Sequence, residues 1–413
     1  MNACGISVAR RFKSVSLVLA FVVVLGAIGL AGAEDVIKFG VHGPMTGPAA
    51  ETGLAIKRAS QLAMEEINAS GGILGKKLEC IWGDTESKPE VGVSVYERFI
   101  TRDKVEVVIG GLHSSVAIAM MEAASKYDSL FFIGAPVSSI ISKKIEENPE
   151  KYWMIFKGDV SSRAYGPGAV ELIESLGKQG FKPKTQSFCS IIEDTDFGRS
   201  VIADIERPMA ASGWKNLVRE VVKIDQADYT AQMSKFRGLK PDVIISVQTS
   251  VAAAASLCKT FRESRIPALF LVVYAAAKPE YIKLTGAASN GVVWLVNIAM
   301  IPALSKDFVG AFQKRFNEVP PLNAAMQYDY MMIVTNVIQT AGSAEGRKIA
   351  DALLKTKYEG NCGVHAYSPK NHEVMSGADY IPTLAYQIQK KKDVIIWPSK
   401  YAQGKFQVPR YLK

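Results

Sequence analysis

Short runs of β-branched residues alternate with longer helical patterns along most of this chain, and this alternation restricts the fold more than any other feature. Eight runs have the pattern of strands, at residues 36–41, 78–81, 105–109, 130–133, 187–192, 218–224, 243–247 and 269–273. Between the first two, apolar residues recur at helical spacing from Ala55 to Ile67, and Gly71 and Gly72 end the pattern. Such alternation predicts βαβ units and a parallel sheet covered on both faces.

The eight strands fall into two sets of four, divided near residues 152–159. After residues 291–297 the pattern is mostly helical up to about residue 377, and the chain ends with strand-like runs at 383–388 and 394–397. A chain of 413 residues is also too long for one typical core. The sequence therefore predicts an α/β protein with two doubly wound, Rossmann-like lobes.

The first 33 residues have the order of a secretory signal peptide. Arg10, Arg11 and Lys13 precede an uncharged apolar run at 15–30, and Ala31-Gly32-Ala33 follows it. We expect cleavage after Ala33 and export to the periplasm. The alternative is an uncleaved anchor, which the Ala-x-Ala site and the short apolar run disfavour.

Charge, cysteine and histidine usage argue against several classes of protein. Without residues 1–33 the chain keeps 46 Lys and Arg against 40 Asp and Glu. Apart from the lysines at residues 390–392, the surplus of basic residues is dispersed along the chain, so we expect no nucleic-acid partner. The remaining cysteines are spaced for neither a disulfide ladder nor a Cys-x-x-Cys site, and we expect them unpaired: Cys80, Cys189, Cys258 and Cys362. The histidines form no metal-ligand set: His42, His113, His365 and His372.

Catalytic signatures are incomplete. Residues 71–77 resemble a phosphate-binding loop but lack its glycine spacing and its Ser or Thr, so a helix C-cap is the better interpretation. Glu193, Asp194 and Asp196 cluster at a strand end, where carboxylates either do acid–base work or, more often, are solvated or cap a helix. We therefore expect no enzymatic activity and no cofactor.

At this point the residues resemble the periplasmic substrate-binding proteins of branched-chain amino-acid ABC transporters, leucine-binding proteins with the type I periplasmic-binding fold. The resemblance covers nearly the whole mature chain. It rests on the order and spacing of short motifs at residues 37–40, 45–48, 63–68, 71–73, 108–111, 114–115, 197–198, 328–329, 358–360 and 363.

The resemblance implies two lobes joined by three hinge crossovers, with ligand bound between the lobes. Lobe one would comprise residues 34–156 plus 298–380, and lobe two residues 157–297 plus 381–413. The hinges would lie near residues 152–158, 293–297 and 378–382. In open α/β sheets the ligand crevice lies beyond the carboxyl ends of the strands, where helix N-termini offer N–H groups to an anion.

Carried over from the family, the lobe-one ligand residues are Thr52, His113, Ser114, Ser115, Pro136, Ser138 and Ser139. Ser114 matches the serine that holds the ligand carboxylate, although a plain helix N-cap is the alternative for it. The alignment does not separate Ser138 from Ser139. His113 stands where some relatives have a disulfide cysteine, so the resemblance implies that this bridge is absent.

In lobe two the resemblance implies ligand contacts from Phe197, Thr249 and Tyr274. Core packing is the alternative role for Phe197. Tyr274 departs from the family, whose amino-acid binders carry a glutamate there for the ligand's ammonium group. Without that anion we expect a small carboxylate or amide to bind better than an α-amino acid, unless Glu193, Asp194 or Asp196 turns inward. A standard aliphatic amino acid, held by backbone carbonyls and the Tyr274 hydroxyl, is the alternative ligand.

The function implied by the resemblance is that of a solute-binding component of an ABC importer, which closes around a small molecule and delivers it to a membrane permease. We expect a monomer, with ATP hydrolysed by another protein. Because the same fold serves membrane receptors as a ligand detector, a sensory role is the alternative.

Overall fold

The computed structural model describes residues 36–377 and 379–412, and the predicted signal peptide lies outside these residues. The strands are β1 (Val36–Gly43), β2 (Lys77–Asp84), β3 (Val107–Gly110), β4 (Leu130–Ile133), β5 (Ile155–Lys157), β6 (Ser187–Glu193), β7 (Lys215–Val222), β8 (Val243–Gln248), β9 (Leu269–Tyr274), β10 (Val293–Val296), β11 (Lys357–Gly360), β12 (Gly363–Ala366), β13 (Leu384–Gln389) and β14 (Lys392–Trp397). All eight predicted strands are present; β4 has the predicted ends and the other seven have shifted ends.

Ten of the twelve α-helices of the described residues follow helical patterns of the sequence, whereas the helices at Ser139–Glu147 and Pro279–Thr285 were not predicted. The twelve helices are α1 (Ala50–Ala69), α2 (Pro89–Arg98), α3 (Ser114–Ala124), α4 (Ser139–Glu147), α5 (Tyr165–Lys178), α6 (Asp196–Ala211), α7 (Thr230–Leu239), α8 (Val251–Ser264), α9 (Pro279–Thr285), α10 (Pro302–Phe316), α11 (Leu322–Ala341) and α12 (Gly346–Leu353).

Two separate sheets organise these elements. The first has the order β2-β1-β3-β4-β5 and is parallel throughout. The second has the order β14-β13-β10-β9-β8-β6-β7, and in it β13 alone runs antiparallel to its neighbours β10 and β14. Every residue of β3, β4, β8 and β9 is buried, as expected for parallel strands covered by helices on both faces.

The chain crosses between the sheets three times. Helices α5–α9 follow the first crossing and pack with the second sheet, whereas α10–α12 return to the first sheet, where α11 lies against α1. There Gln327 Nε2 donates to Ser60 Oγ at 3.0 Å. The last crossing leads to β13. We call the first sheet with α1–α4 and α10–α12 the first lobe, and the second sheet with α5–α9 the second lobe. The predicted α/β fold with three crossovers is confirmed, while the predicted lobe boundaries stay a prediction.

The crossovers begin later than the sequence predicts. Residues 155–157 form β5 and residues 293–296 form β10, so these stretches belong to sheets rather than to hinges. One buried side chain, Asn297, connects all three crossings. Its Nδ2 donates to Ser161 O at 3.0 Å, and its Oδ1 accepts from Thr383 Oγ1 at 3.1 Å.

The four cysteines of the described chain are buried and free: Cys80, Cys189, Cys258 and Cys362. Burial raises the pKa of Cys80 and Cys189 to about 12, so these thiols stay protonated and unreactive at neutral pH. Among residues 36–377 and 379–412, no helix is long and apolar enough to cross a membrane.

Candidate ligand-binding site between the lobes

A cavity of about 610 Å³ lies between the two lobes. Its first-lobe wall includes Thr52, Ser87 and His113, and its second-lobe wall includes Thr249 and Lys278. Most of its lining segments follow β2, β3, β7, β8 and β9, so the cavity lies at the carboxyl edges of both sheets. Sites for small molecules in proteins commonly enclose about 300–1,000 Å³.

Helix α8 begins at this cavity and presents free backbone donors to it. Ser250 caps the helix, because its Oγ accepts a hydrogen bond from Ala253 N at 3.3 Å. Val251 and Ala252, the first two helical residues, line the cavity. Their N–H groups have no acceptor within the described part of the chain. The first turn of α8 is therefore able to donate hydrogen bonds to an anionic group.

Lys278 brings a positive charge to the same cavity. Its Nζ lies 5.5 Å from the centroid of the Tyr274 ring, an arrangement that favours a cation over the ring face. Among the residues that the structure describes, no carboxylate oxygen lies within 4.0 Å of this nitrogen. Burial lowers the pKa of Lys278, and the charges of Glu51, Glu280 and Glu193 oppose that shift.

Two carboxyl groups reach the cavity from opposite lobes. Glu51 lies in the first turn of α1 and Glu280 near the start of α9. Burial raises the pKa of Glu51, and a hydrogen bond with Glu280 and the charge of Glu280 raise it further. The two carboxyl groups thus interact with each other across the cleft between the lobes.

Glu193 lies fully buried behind Thr249. Its Oε2 accepts from Thr249 N at 2.6 Å and from Thr249 Oγ1 at 2.8 Å, and its Oε1 accepts from Thr195 Oγ1 at 2.9 Å. Burial raises its pKa, and these donors lower it. Of the three clustered carboxylates, it alone turns inward, since Asp194 forms an ion pair with Arg199 and Asp196 begins α6. The hydrogen bonds of Glu193 fix Thr249 at the start of α8.

The predicted serines of the first lobe are placed beside the contact between the lobes, outside the lining of the cavity. Ser114 Oγ accepts from Ser138 N at 3.2 Å, and Ser138 Oγ lies 2.6 Å from Ser200 Oγ of the second lobe. Ser138 also caps α4, whereas Ser139 is the first residue of that helix and its N–H donates to Ser162 Oγ at 3.0 Å. The two residues that the alignment left unresolved therefore have different roles. The other two predicted residues of this region are a half-buried Ser115 and a buried Pro136.

Three of the predicted residues, Thr52, His113 and Thr249, line the cavity directly. His113 Nε2 lies 3.1 Å from Ser87 Oγ. Burial lowers the pKa of His113 to about 4, with a smaller contribution from the charge of Lys278, so the imidazole is neutral at physiological pH.

Phe197 and Tyr274 pack against each other behind the cavity wall that carries Lys278. Their rings meet edge to face with centroids 5.9 Å apart. The Tyr274 hydroxyl donates to Asn323 Oδ1 of the first lobe at 3.1 Å, so it already has a partner across the cleft. Burial raises the pKa of this hydroxyl, which therefore stays protonated. The aromatic pair supports the wall of the cavity that carries Lys278.

A family model described as "Periplasmic binding protein" matches residues 36–383, which is most of the chain. The chain belongs to this family of periplasmic binding proteins. One relative is the leucine-, isoleucine-, valine-, threonine- and alanine-binding protein of Pseudomonas aeruginosa, 23% identical over 371 residues that cover 85% of this chain and 91% of the relative. The resemblance noted in the sequence is thereby confirmed.

Solved structures support the same fold for this periplasmic binding protein. A protein from Silicibacter pomeroyi, described as a putative branched-chain amino acid ABC transporter, superposes with a TM-score of 0.82 at 21% identity, covering 91% of this chain and 100% of that one. A solute-binding protein of an ABC transporter from R. palustris, in complex with benzoate, superposes with a TM-score of 0.74 at 17% identity, covering 87% and 95%.

Three charged side chains of this periplasmic binding protein's cavity were not predicted from the sequence: Lys278, Glu51 and Glu280. Lys278 follows Tyr274 by four residues, across a short 3-10 turn at Ala275–Ala277, and Glu280 lies two residues further. Their proximity to the predicted Tyr274 was a usable signal. Glu51 had a similar one, because it directly precedes the predicted Thr52.

Proposed function

We propose that this periplasmic binding protein is the exported solute-binding component of an ABC importer, which closes around a small polar molecule and delivers it to a membrane permease. The observation that carries the proposal is the cavity between the lobes, whose walls come from both lobes at the carboxyl edges of both sheets. A solute in that position contacts both lobes only when they are together, so its binding energy stabilises the closed state.

The contacts between the lobes support such a hinged closure. Ser138 and Ser200 join the lobes through a single pair of hydroxyls, and Tyr274 and Asn323 through one hydrogen bond. Each contact is worth only about 0.5–1.5 kcal/mol net, because water replaces it when the lobes separate. Contacts this weak are consistent with an opening that the ligand controls.

Binding is a better interpretation of the cavity than catalysis. Ser87 with His113 and Thr249 with Glu193 are the contacts between a cavity hydroxyl and a possible base within the described residues, and Glu193 is fully buried behind Thr249. A pKa of about 4 makes His113 a weak base, and no carboxylate of the described chain hydrogen-bonds its other ring nitrogen. The protein should therefore return its ligand chemically unchanged.

For the ligand we propose a small molecule with a carboxylate, carboxamide or amino-acid head and an apolar body. The Pseudomonas aeruginosa relative is named for five amino acids, and the R. palustris protein was crystallised with benzoate, so both compound classes belong in a first panel. The first turn of α8 and the side chain of Lys278 offer donors to the head group.

A thermal-shift screen of amino acids, keto acids and aromatic acids with the mature protein is the first test. We expect at least one compound to raise the midpoint of unfolding, and mass spectrometry of the released compound to show it unchanged. Turnover of the compound would refute the binding role.

Deletion of the gene in the host should then abolish uptake of that compound. Intact uptake with a lost transcriptional response would favour the sensory role instead. Sedimentation of the ligand-bound protein tests the expected monomer.

A further inference from the structure

Among the described residues that line the cavity, Lys278 is the only lysine or arginine. A half-buried ammonium without an ion pair is unfavourable, because burial removes water from the charge. The carboxylates of Glu51, Glu280 and Glu193 act on the Lys278 charge only from beyond 4.0 Å. Tyr274 offers only its ring face, at 5.5 Å. An incoming carboxylate would supply the missing counter-charge.

The first turn of α8 adds donors for the same anion. The N–H groups of Val251 and Ala252 line the cavity that Lys278 enters and have no acceptor in the described residues. The capping of α8 by Ser250, together with the anchoring of Thr249 by Glu193, holds this turn in place. Backbone N–H groups at a helix start and an ammonium are both donors that hydrogen-bond a carboxylate, and here they line one cavity.

The acidic residues of the cavity do not cancel this preference. Glu51 and Glu280 interact with each other through their side chains, and Asp225 is exposed to solvent at the rim. The Glu193 carboxylate already accepts hydrogen bonds from Thr249 and Thr195. Both members of the Glu51–Glu280 pair raise the pKa of Lys278 and so favour its charged form.

From this arrangement, and resting on the proposed function, we propose that the ligand is a carboxylate whose anionic group binds the second lobe, at Lys278 and the first turn of α8. In this arrangement Lys278 makes the site selective for ligands with a negative charge. In an α-amino acid the ammonium and carboxylate are attached to one carbon, so pairing the carboxylate with Lys278 brings two cations together. Deaminated and aromatic carboxylates avoid that repulsion.

Calorimetry with four probes tests the inference: benzoate, benzamide, 4-methyl-2-oxopentanoate and L-leucine. We expect the wild-type protein to bind at least one of the two simple carboxylates. The keto acid should bind more tightly than leucine, and benzoate at least tenfold more tightly than benzamide. Lys278→Met should weaken carboxylate binding at least tenfold and leave benzamide unchanged. Lys259→Met, which removes an exposed lysine of α8, should change neither the affinity for carboxylates nor that for benzamide.

Three results would overturn the inference: tighter binding of leucine than of its keto acid, equal carboxylate affinity in Lys278→Met and wild type, or no binding of either simple carboxylate. The comparison of benzoate with benzamide needs no variant, so it stays informative if Lys278→Met fails to fold. A neutral or cationic ligand from the thermal-shift screen would defeat this inference and leave the proposed function standing. A protein that binds no compound of the screen would defeat both.

Discussion

Asp159, at the first crossover, should make the stability of the protein depend on pH in an unusual direction. The residue is 2% exposed, and its Oδ1 has no hydrogen-bond partner in the described residues. The neighbouring Lys157 Nζ donates to the backbone oxygen of Asp159, at 2.5 Å, rather than to its carboxylate. Burial raises the pKa of Asp159 to about 7, and the charge of Glu373 adds to this, whereas Lys157 and the N–H of Val160 oppose it.

The sign follows from proton binding. An unfolded aspartate titrates near its ordinary pKa of about 3.8, so between that pH and about 7 the folded protein binds more protons at Asp159 than the unfolded chain. Stability therefore falls as the pH rises through this window. With these two pKa values, the loss between pH 5 and pH 8 is about 2–3 kcal/mol at most.

Asp159→Asn keeps the shape of the protonated side chain at every pH and removes this penalty. We expect the variant to match wild type only below about pH 4, and its advantage in free energy of unfolding to grow by about 2–3 kcal/mol between pH 5 and pH 8. Urea unfolding followed by circular dichroism at both pH values is the assay.

Asp242→Asn is the matched control, because we expect Asp242 to change the stability of the protein with pH in the opposite direction. The Asp242 carboxylate accepts from Lys184 N and Thr185 N, each at 2.7 Å, and burial only partly opposes the lowering of its pKa by these donors. Its contribution is present above the ordinary aspartate pKa and is lost as the pH falls, so Asp242→Asn should destabilise the protein at pH 8. A difference between Asp159→Asn and wild type that is the same at pH 5 and pH 8 would refute the assignment of a raised pKa to Asp159.

Two further stability predictions rest on packing and hydrogen bonding. Gly53→Ala should lower the free energy of unfolding by about 1–3 kcal/mol, because the new Cβ would lie 2.1 Å from Pro44 O. Gly310 lies inside α10, where a new Cβ would meet no atom within 4 Å, so Gly310→Ala should raise the free energy of unfolding by about 0.5–1 kcal/mol. Equal effects of the two substitutions would contradict the close packing of Gly53 against Pro44. Thr383→Val should cost about 1–3 kcal/mol in urea unfolding, because Asn297 Oδ1 loses its buried donor, and an unchanged midpoint would show that the crossovers are not coupled through Asn297.

The sequence predicts most of the fold, because buried parallel strands leave continuous apolar runs such as that of β9, Leu269–Tyr274. It misses β5 and β10 because each is only three or four residues long and lies where the chain was expected to cross between lobes. It also misses the β11–β12 hairpin, whose strands are half exposed and lack a clear pattern.

The candidate site is less predictable from the sequence, because it depends on which segments meet across the lobes. Thr52, His113 and Thr249 follow or precede identifiable strands and helices, so motif order places them at the cavity. Lys278 follows a turn without periodicity, so its nearness to Tyr274 is the only local indication that it lines the cavity. The contact between Ser138 and Ser200 likewise depends on how the lobes pack.

Small-angle X-ray scattering of the mature protein, with and without a compound that raises its midpoint of unfolding, tests the central claim of closure around a solute most directly. We predict a smaller radius of gyration with the compound, because its contacts with both lobes stabilise the closed arrangement around Thr52, His113 and Lys278. A radius of gyration that stays the same at saturating compound would contradict closure around the ligand.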